Sequence, residues 1–486
     1  LITSSSALAA PPGTARARRH PVMALVAIAG AQLMVVLDAT IVNVALPSLQ
    51  RGLGLSTENL SWVINAYTLA FGGLLLLGGR VGDVAGRRRV LVIGVTLFAA
   101  SSLAGGFAQS SGWLLLARAA QGLGAAAIAP AVLALTTTTF TEGRERNRAF
   151  GLLGGVSGAG AAVGLLAGGL LTEWASWRWV FFVNVPVGLA LGLLARFSIH
   201  ESPRQKGRFD LGGALTSTCG MVALVYGFIR VSRTGWNDGW VIGCFAVSLA
   251  LFIAFVVIER RSAHPLTPLS LFAGPTRAGV YLVALALTGS LMGLFFFLTV
   301  FMQNVLSYGP VETGLAFLPV SVTILLTAAL TANLASRLGH KTSLAAGVTL
   351  IAVALVWLSG LSAGSGYAAS LLGPLLLYGV GTGVVFTPLT VIGVSGAVEP
   401  GASGAASGLL NATQQVGGAL GLSILVTVYG AAARGATGAP AAVLTSGVST
   451  ALRVAAIFAV GALAAIVFMI RSPGPGRETT TDRSSQ

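Results

Sequence analysis

The chain has 486 residues, 55% of them hydrophobic and 9% charged, with a mean hydropathy of +0.85 and a formal net charge of +15. A soluble domain carries about 25% charged residues, so a soluble fold is excluded, and the many apolar windows of about 20 residues have the length of membrane-crossing helices. The positive charge does not mark a nucleic-acid binder, because the basic residues lie in short loops between apolar runs.

Residues 1–21 form a polar, basic tail. The first apolar run, 22–46, is long enough to span a bilayer, so no separate cleavable signal sequence is expected. Asp38 lies inside it. A carboxylate at that depth is costly, and such groups face a bundle interior or a water-filled cavity. Span 2 is predicted at 60–79, with Asn65 and Tyr67 inside it. The loop that follows carries Asp83, Gly86, Arg87, Arg88 and Arg89 ahead of span 3 at 90–109. Span 4, at 113–137, holds Arg118 and Gln121. Arg118 is the one base placed as deep as Asp38. At 1.5 Å per residue, Asp38 lies about 12 Å and Arg118 about 8 Å from the same outer helix ends. The two can meet if their helices face each other. They read either as a proton site, with Asp38 titrating and Arg118 tuning it, or as a permanent ion pair.

Span 5, at 148–171, sets Gly160, Gly164 and Gly168 on one face, with Gly169 beside them. This is a small-residue surface for close helix packing or for a mobile contact between bundles. Further spans are predicted at 179–198, 211–231, 239–258, 279–303, 313–334, 343–362, 367–392, 404–430 and 450–470, fourteen in all. Asn43, Asn65, Tyr67, Gln121, Gln303, Gln414 and Asp38 itself are candidates to contact substrate in a central cavity. For the amides an interhelical hydrogen bond is the competing reading. Cys219 and Cys244 fall inside spans and read as small packed residues, not a disulfide.

The even span count puts both termini on one side. Most Lys and Arg residues lie in the tails and the loops after even-numbered spans. The opposite loops and span ends hold Arg51, Arg178, Arg230, Arg233, Arg434 and Arg453. The positive-inside rule therefore makes the termini cytoplasmic. Trp62, Trp113, Trp174, Trp177, Trp179, Trp236 and Trp240 gather near the outer interface, as an aromatic belt would.

A repeat runs through the chain at one offset. Gly122 and Gly124 match Gly379 and Gly381; Glu142 and Gly151 match Glu399 and Gly408; Gly160 and Gly164 match Gly417 and Gly421. A looser echo pairs Gly86, Arg87 and Arg88 with Gly339, His340 and Lys341. Parallel repeats are a transporter architecture. The expected division is an N-terminal six-helix bundle at 22–200, a loop with two linker helices at 201–262, a C-terminal six-helix bundle at 263–470 and a tail at 471–486. His20, His200, His264 and His340 all fall in cytoplasmic segments, away from any metal-binding arrangement or intramembrane relay. No phosphate-cradling loop or nucleophile constellation is visible. The reading is a non-enzyme without cofactor, metal or ATP.

Four stretches resemble one family. The run from Gly79 through Asp83 to Arg89 resembles the cytoplasmic loop signature of the major facilitator superfamily, with Val84 where Arg is usual. Arg118-Ala-Ala-Gln121-Gly122 resembles its fourth-helix motif. Leu37-Asp38-Ala-Thr40-Ile-Val-Asn43-Val-Ala-Leu-Pro47 and the stretch from Trp177 through Asn184 to Pro186 are similar to signatures of its fourteen-helix drug/proton antiporter family. In the fifth-helix motif, Leu165 replaces the usual proline. The resemblance implies an all-α membrane protein of the major facilitator fold in a bacterial cytoplasmic membrane. It implies export of a small amphipathic molecule by alternating access, in exchange for protons. It makes Asp38 and Arg118 the proton-coupling pair, and Asp83, Gly86, Arg87 and Arg88 an inner gate. A facilitator or symporter for a small metabolite is the alternative on the same scaffold, followed by a non-transporting receptor or scaffold.

Overall fold

The computed structural model describes residues 21–140, 143–201, 210–262, 274–395 and 403–470, with backbone alone at 58, 147, 158, 332–338, 394–395 and 403–405. Glu142, Glu399, His20, His264, the basic loop at 202–209 and both terminal tails lie outside the described residues. Within them the chain is helical. The helices are α1 (Pro21–Leu53), α2 (Thr57–Ala85), α3 (Arg87–Gly106), α4 (Ser111–Thr139), α5 (Arg144–Trp174), α6 (Trp179–Phe182), α7 (Asn184–Ser198), α8 (Leu211–Thr234), α9 (Gly239–Arg261), α10 (Pro275–Asn304), α11 (Pro310–Leu338), α12 (His340–Leu358), α13 (Leu372–Ser395, entered through a π turn), α14 (Ser403–Gly435) and α15 (Pro440–Met469). Among the described residues, fourteen stretches are long and apolar enough to cross a membrane, with α6 and α7 together making one of them. A helix satisfies its own backbone, which the hydrocarbon cannot do for it.

The helices overrun the apolar runs that announce them. α1 continues through Pro47 to Leu53, and α15 starts at Pro440, ten positions before its predicted span. The first turns of α15 are diluted by hydroxyls, yet Thr445 and Thr450 return theirs to Ala441 and Ser446 carbonyls four residues back. Ser56, Ser110, Asp210 and Asp238 cap α2, α4, α8 and α9, each side chain accepting a first-turn N–H. Gly86 (φ 108°) and Gly339 (φ 83°) turn the chain between α2 and α3 and between α11 and α12, in a backbone region that favours glycine.

The sequence repeat has a packing counterpart. Gly122 and Gly124 of α4 meet α2 and α3, at Tyr67 and at Phe98 and Gly94. Gly379 and Gly381 of α13 meet α11 and α12, at Val320 and at Gly347. Gly160 and Gly164 of α5 lie on α1; Gly417 and Gly421 of α14 lie on α10. Each glycine thus lets the equivalent pair of helices close. α1–α5 and α7 pack mainly on one another, as do α10–α15.

The two groups touch mainly along two seams, α5 with α11 and α2 with α14, with smaller contacts of α1 on α10 and α11. On the first seam, Gly169 lies against Pro310 and Val311, and Gly314 against Leu165. These contacts sit in the half opposite the termini. The same stripe of α5 continues toward the terminal face through Gly155, Gly154 and Gly151, where a Cβ would meet nothing within 4 Å. Among the described residues, α5 is thus open on this seam toward the terminal face. α8 bridges the second seam: Thr218 lies against Gly73 of α2, and Thr427 of α14 donates to the Phe228 carbonyl. α9 packs on α8.

Candidate functional site

The most polar spot inside the first group is built around Asp38. Asp38 and Arg118 are 0% and 2% exposed. Arg118 Nη1 donates to Asp38 Oδ2 at 2.5 Å. The other carboxylate oxygen, Oδ1, accepts from Gln121 Nε2 and from Asn184 Nδ2, both at 3.0 Å. The same two amides also donate to Ser102 Oγ, at 2.9 and 3.0 Å, and the Ser102 hydroxyl donates to the Phe181 carbonyl at 2.9 Å. Arg118 is held further by the Val63 carbonyl (3.0 Å) and Gln121 Oε1 (3.0 Å). Its guanidinium lies over the Tyr67 ring, 4.4 Å from the centroid.

Local structure places each member. Arg118 and Gln121 are three residues apart on α4 and so share a face. The Gly94–Gly124 approach lets α3 lie close on α4, which brings Ser102 in. The break at Val183, between α6 and α7, puts Asn184 at the start of α7 with its side chain buried. α6 ends one residue after Phe181, so that carbonyl is within reach of Ser102. All three groups on Asp38 donate. The cage is therefore built around an acceptor, and it is closed to solvent.

The other candidates are distributed. Asn65 donates to Ser423 Oγ of α14 at 3.1 Å, and Gln303 of α10 donates to the Val44 carbonyl of α1 at 2.9 Å. Both bonds join the two groups. Asn43 donates to the Ala39 carbonyl of its own helix. Asn43 Oδ1, Asn65 Oδ1 and Tyr67 Oη are buried without a hydrogen-bond partner among the described residues. Gln414 is half-buried on α14, next to Gln415, whose Cβ lies against Gly72 of α2. Asp38, Arg118, Gln121 and Tyr67 thus come together, while Asn43, Asn65, Gln303 and Gln414 stand apart from them.

The basic loop forms a second cluster at the terminal face. Arg87 Nε and Nη2 donate to Asp83 Oδ1 at 3.1 and 2.9 Å, and its Nη1 reaches the Ala134 carbonyl of α4 at 3.4 Å. Glu201 accepts the backbone N–H groups of Arg88 (3.1 Å) and Arg89 (3.2 Å), so it caps the start of α3. Arg88 Nη1 donates to the Ile199 carbonyl. A Cβ on Gly86 would fall 2.7 Å from the Glu201 carboxylate.

The fifth-helix glycines divide by partner. A Cβ at Gly160 would meet Leu33 at 2.9 Å, and one at Gly168 the Ile41 carbonyl at 2.5 Å; Gly164 lies against Thr40. Those three serve packing within the first group. Gly169 faces Pro310 across the seam, at 2.7 Å.

Three participants were not picked out by sequence. Asn184 stands inside a quoted motif, but nothing local shows that a helix break aims it at Asp38. Ser102 has no signal that separates it from Ser101. Glu173 ends α5 and accepts Val311 N–H at 2.9 Å, joining the two groups at the face opposite the termini.

Comparison with known proteins places this geometry. Residues 28–422 match the model of the Major Facilitator Superfamily. The puromycin resistance protein pur8 of Streptomyces alboniger is 46% identical, over 86% of this chain and 82% of its own length. The cephamycin export protein CmcT of Amycolatopsis lactamdurans is 41% identical, over 86% of each chain. Among solved structures, a bacterial homologue of the human lysosomal transporter Spinster, inward-facing and unoccupied, superposes with a TM-score of 0.69 at 17% identity. That match covers 95% of this chain and 100% of the other.

Proposed function

Since this chain belongs to the Major Facilitator Superfamily and is thus a multi-pass membrane transporter, not an enzyme, we propose that it exports an antibiotic-like amphipathic molecule in exchange for protons. Residues 22–200 and 263–470 act as the two bodies that rock, and 201–262 links them. Both termini are cytoplasmic in a bacterial inner membrane, so the opening of α5 toward the terminal face marks an inward-open state. Resistance and export relatives at 46% and 41% identity support the cargo class.

The observation that carries proton coupling is the sealed Asp38–Arg118 cage. With Asp38 ionised the pair is neutral and both carboxylate oxygens accept hydrogen bonds. A proton on Asp38 would leave Arg118 as an uncompensated charge inside the membrane, a costly arrangement that must be relieved by movement. α1 also carries the Val44 carbonyl bonded by Gln303, so movement of α1 reaches the closed seam. In the proposed cycle Asp38 gains its proton while the outer side is open and loses it while the inner side is open. A proton-motive force of roughly 150 mV supplies about 3.5 kcal/mol per proton, enough to hold a cargo gradient of roughly a few hundred-fold. Asp83, Gly86, Arg87 and Arg88 form the inner gate. In this inward-open state Asp83 takes its hydrogen bonds from Arg87 of its own body.

The test is an efflux panel of antibiotics in a susceptible host, with and without a protonophore. Protonophore-sensitive export of at least one compound is expected. Proton-driven uptake, or movement indifferent to the protonophore, would favour a symporter or facilitator.

A further inference from the structure

A cleft of about 320 Å³ opens where α2 meets the linker helix α8, at the face opposite the termini. Its α8 wall is Tyr226, Arg230, Arg233 and Thr234, one stripe at helical spacing; its α2 wall is Asn59 and Trp62. Arg230 and Arg233 lie on the side of the membrane where topology disfavours basic residues. Their presence there calls for a local reason. Arg230 is held by Asp238, with Nη2 at 2.9 Å and Nε at 3.0 Å from Oδ2. Arg233 is exposed and, among the described residues, makes no ion pair. The three charges sum to one net positive charge, matching one phosphodiester.

The base of the cleft is apolar at Ile229, which belongs to a packed cluster. Leu69, Val225 and Ile229 are buried together, with Met221 and Trp62 packed against them. The Trp62 and Tyr226 rings stand 6.1 Å apart at the mouth, where amphipathic rings settle at headgroup level. A donor-rich cleft flanked by Trp62 and Tyr226 at the membrane edge fits a lipid headgroup better than it fits a free anion.

We propose that this cleft binds the phosphodiester headgroup of an anionic phospholipid, with Arg233 as the free donor and Arg230 as the oriented one. α8 also contacts α14. A lipid seated here therefore ties the linker helix to α2 of the other body.

The test is thermal unfolding of the full-length protein in detergent, titrated with short-chain phosphatidylglycerol, short-chain phosphatidylcholine or inorganic phosphate. Phosphatidylglycerol raises Tm more than phosphatidylcholine does, and phosphate has no effect. Arg233→Gln weakens the apparent affinity for phosphatidylglycerol about fivefold, as loss of one interfacial charge should. Thr234→Glu, which adds a negative charge to the same wall, weakens it independently. Arg51→Gln, at another outer helix end, behaves as wild type. Equal stabilisation by phosphatidylcholine would overturn the headgroup assignment. Equal stabilisation by phosphate would replace the lipid with a free anion. Unaltered phosphatidylglycerol affinity in both cleft variants would remove the site.

Discussion

Asp38 is held directly by side chains from two other helices, α4 and α7, with Ser102 of α3 behind them. Arg118 balances its charge, while Gln121 and Asn184 fix the other oxygen and are themselves oriented by Ser102. Asn184→Ala removes one of two donors to Oδ1 and leaves the charge pair intact. Transport by Asn184→Ala is expected to fall about tenfold, equivalent to roughly 1.4 kcal/mol, with normal membrane abundance. Gln121→Ala should do likewise, and the double variant should lose less than the sum, because the two amides share both of their acceptors. Proteoliposome transport rates, scaled to protein amount, check this; additive losses would mean that the amides act separately. Arg118→Lys keeps the charge but not the planar fork that reaches Asp38, Gln121 and Val63 together. It is expected to transport far more slowly than wild type.

At the scale of helices, glycine decides how closely neighbours lie. Gly168→Val would drive its side chain into the Ile41 carbonyl inside one body, an overpacking cost of about 1–3 kcal/mol. Reduced abundance is expected. Gly169→Val instead meets Pro310 across the seam, where the strain can be relieved by opening the outer side. That variant should be made normally and yet transport poorly. A Cys at Gln303, in a background lacking Cys219 and Cys244, should then react faster with a membrane-impermeant thiol reagent. Unchanged labelling would show that the seam had not moved. Gly151→Val faces open space in this state and serves as the comparison. Helix number was legible in the sequence because each membrane helix satisfies its own backbone and announces itself by hydropathy. The glycine register was legible for a related reason: equivalent helices need the same close approach. Helix ends were less so. The hydroxyls of α15 bond their own turns and lower hydropathy without breaking the helix. The cage was half legible. Asp38 and Arg118 stand out as charges in apolar runs, but Asn184 depends on the break at Val183 and Ser102 on the rotation of α3. Neither leaves a mark in composition.

Across the whole molecule, the α5–α11 seam is closed at one face and α5 is open toward the other, and a few polar contacts bias that balance. Glu173 holds the start of α11 across the closed seam, where the helix dipole favours a negative charge. Glu173→Gln gives up about 0.3–1 kcal/mol of that bias, so the outward-open population should rise roughly two- to fivefold, read by distance measurements between labels on the two bodies. No shift would remove Glu173 from the gate. At the other face, Asp83→Asn should slow turnover more than it weakens equilibrium cargo binding, because the site lies about a bilayer's depth from Asp38. The central claim is that one carboxylate ties proton movement to cargo movement. The direct measurement is proton flux in proteoliposomes of known orientation, driven only by an imposed cargo gradient and read with an internal pH dye, for wild type and Asp38→Asn at equal protein. The account predicts cargo-driven, oppositely directed proton movement by wild type and none by Asp38→Asn. Cargo movement by wild type without protons, or undiminished proton movement by Asp38→Asn, would contradict it.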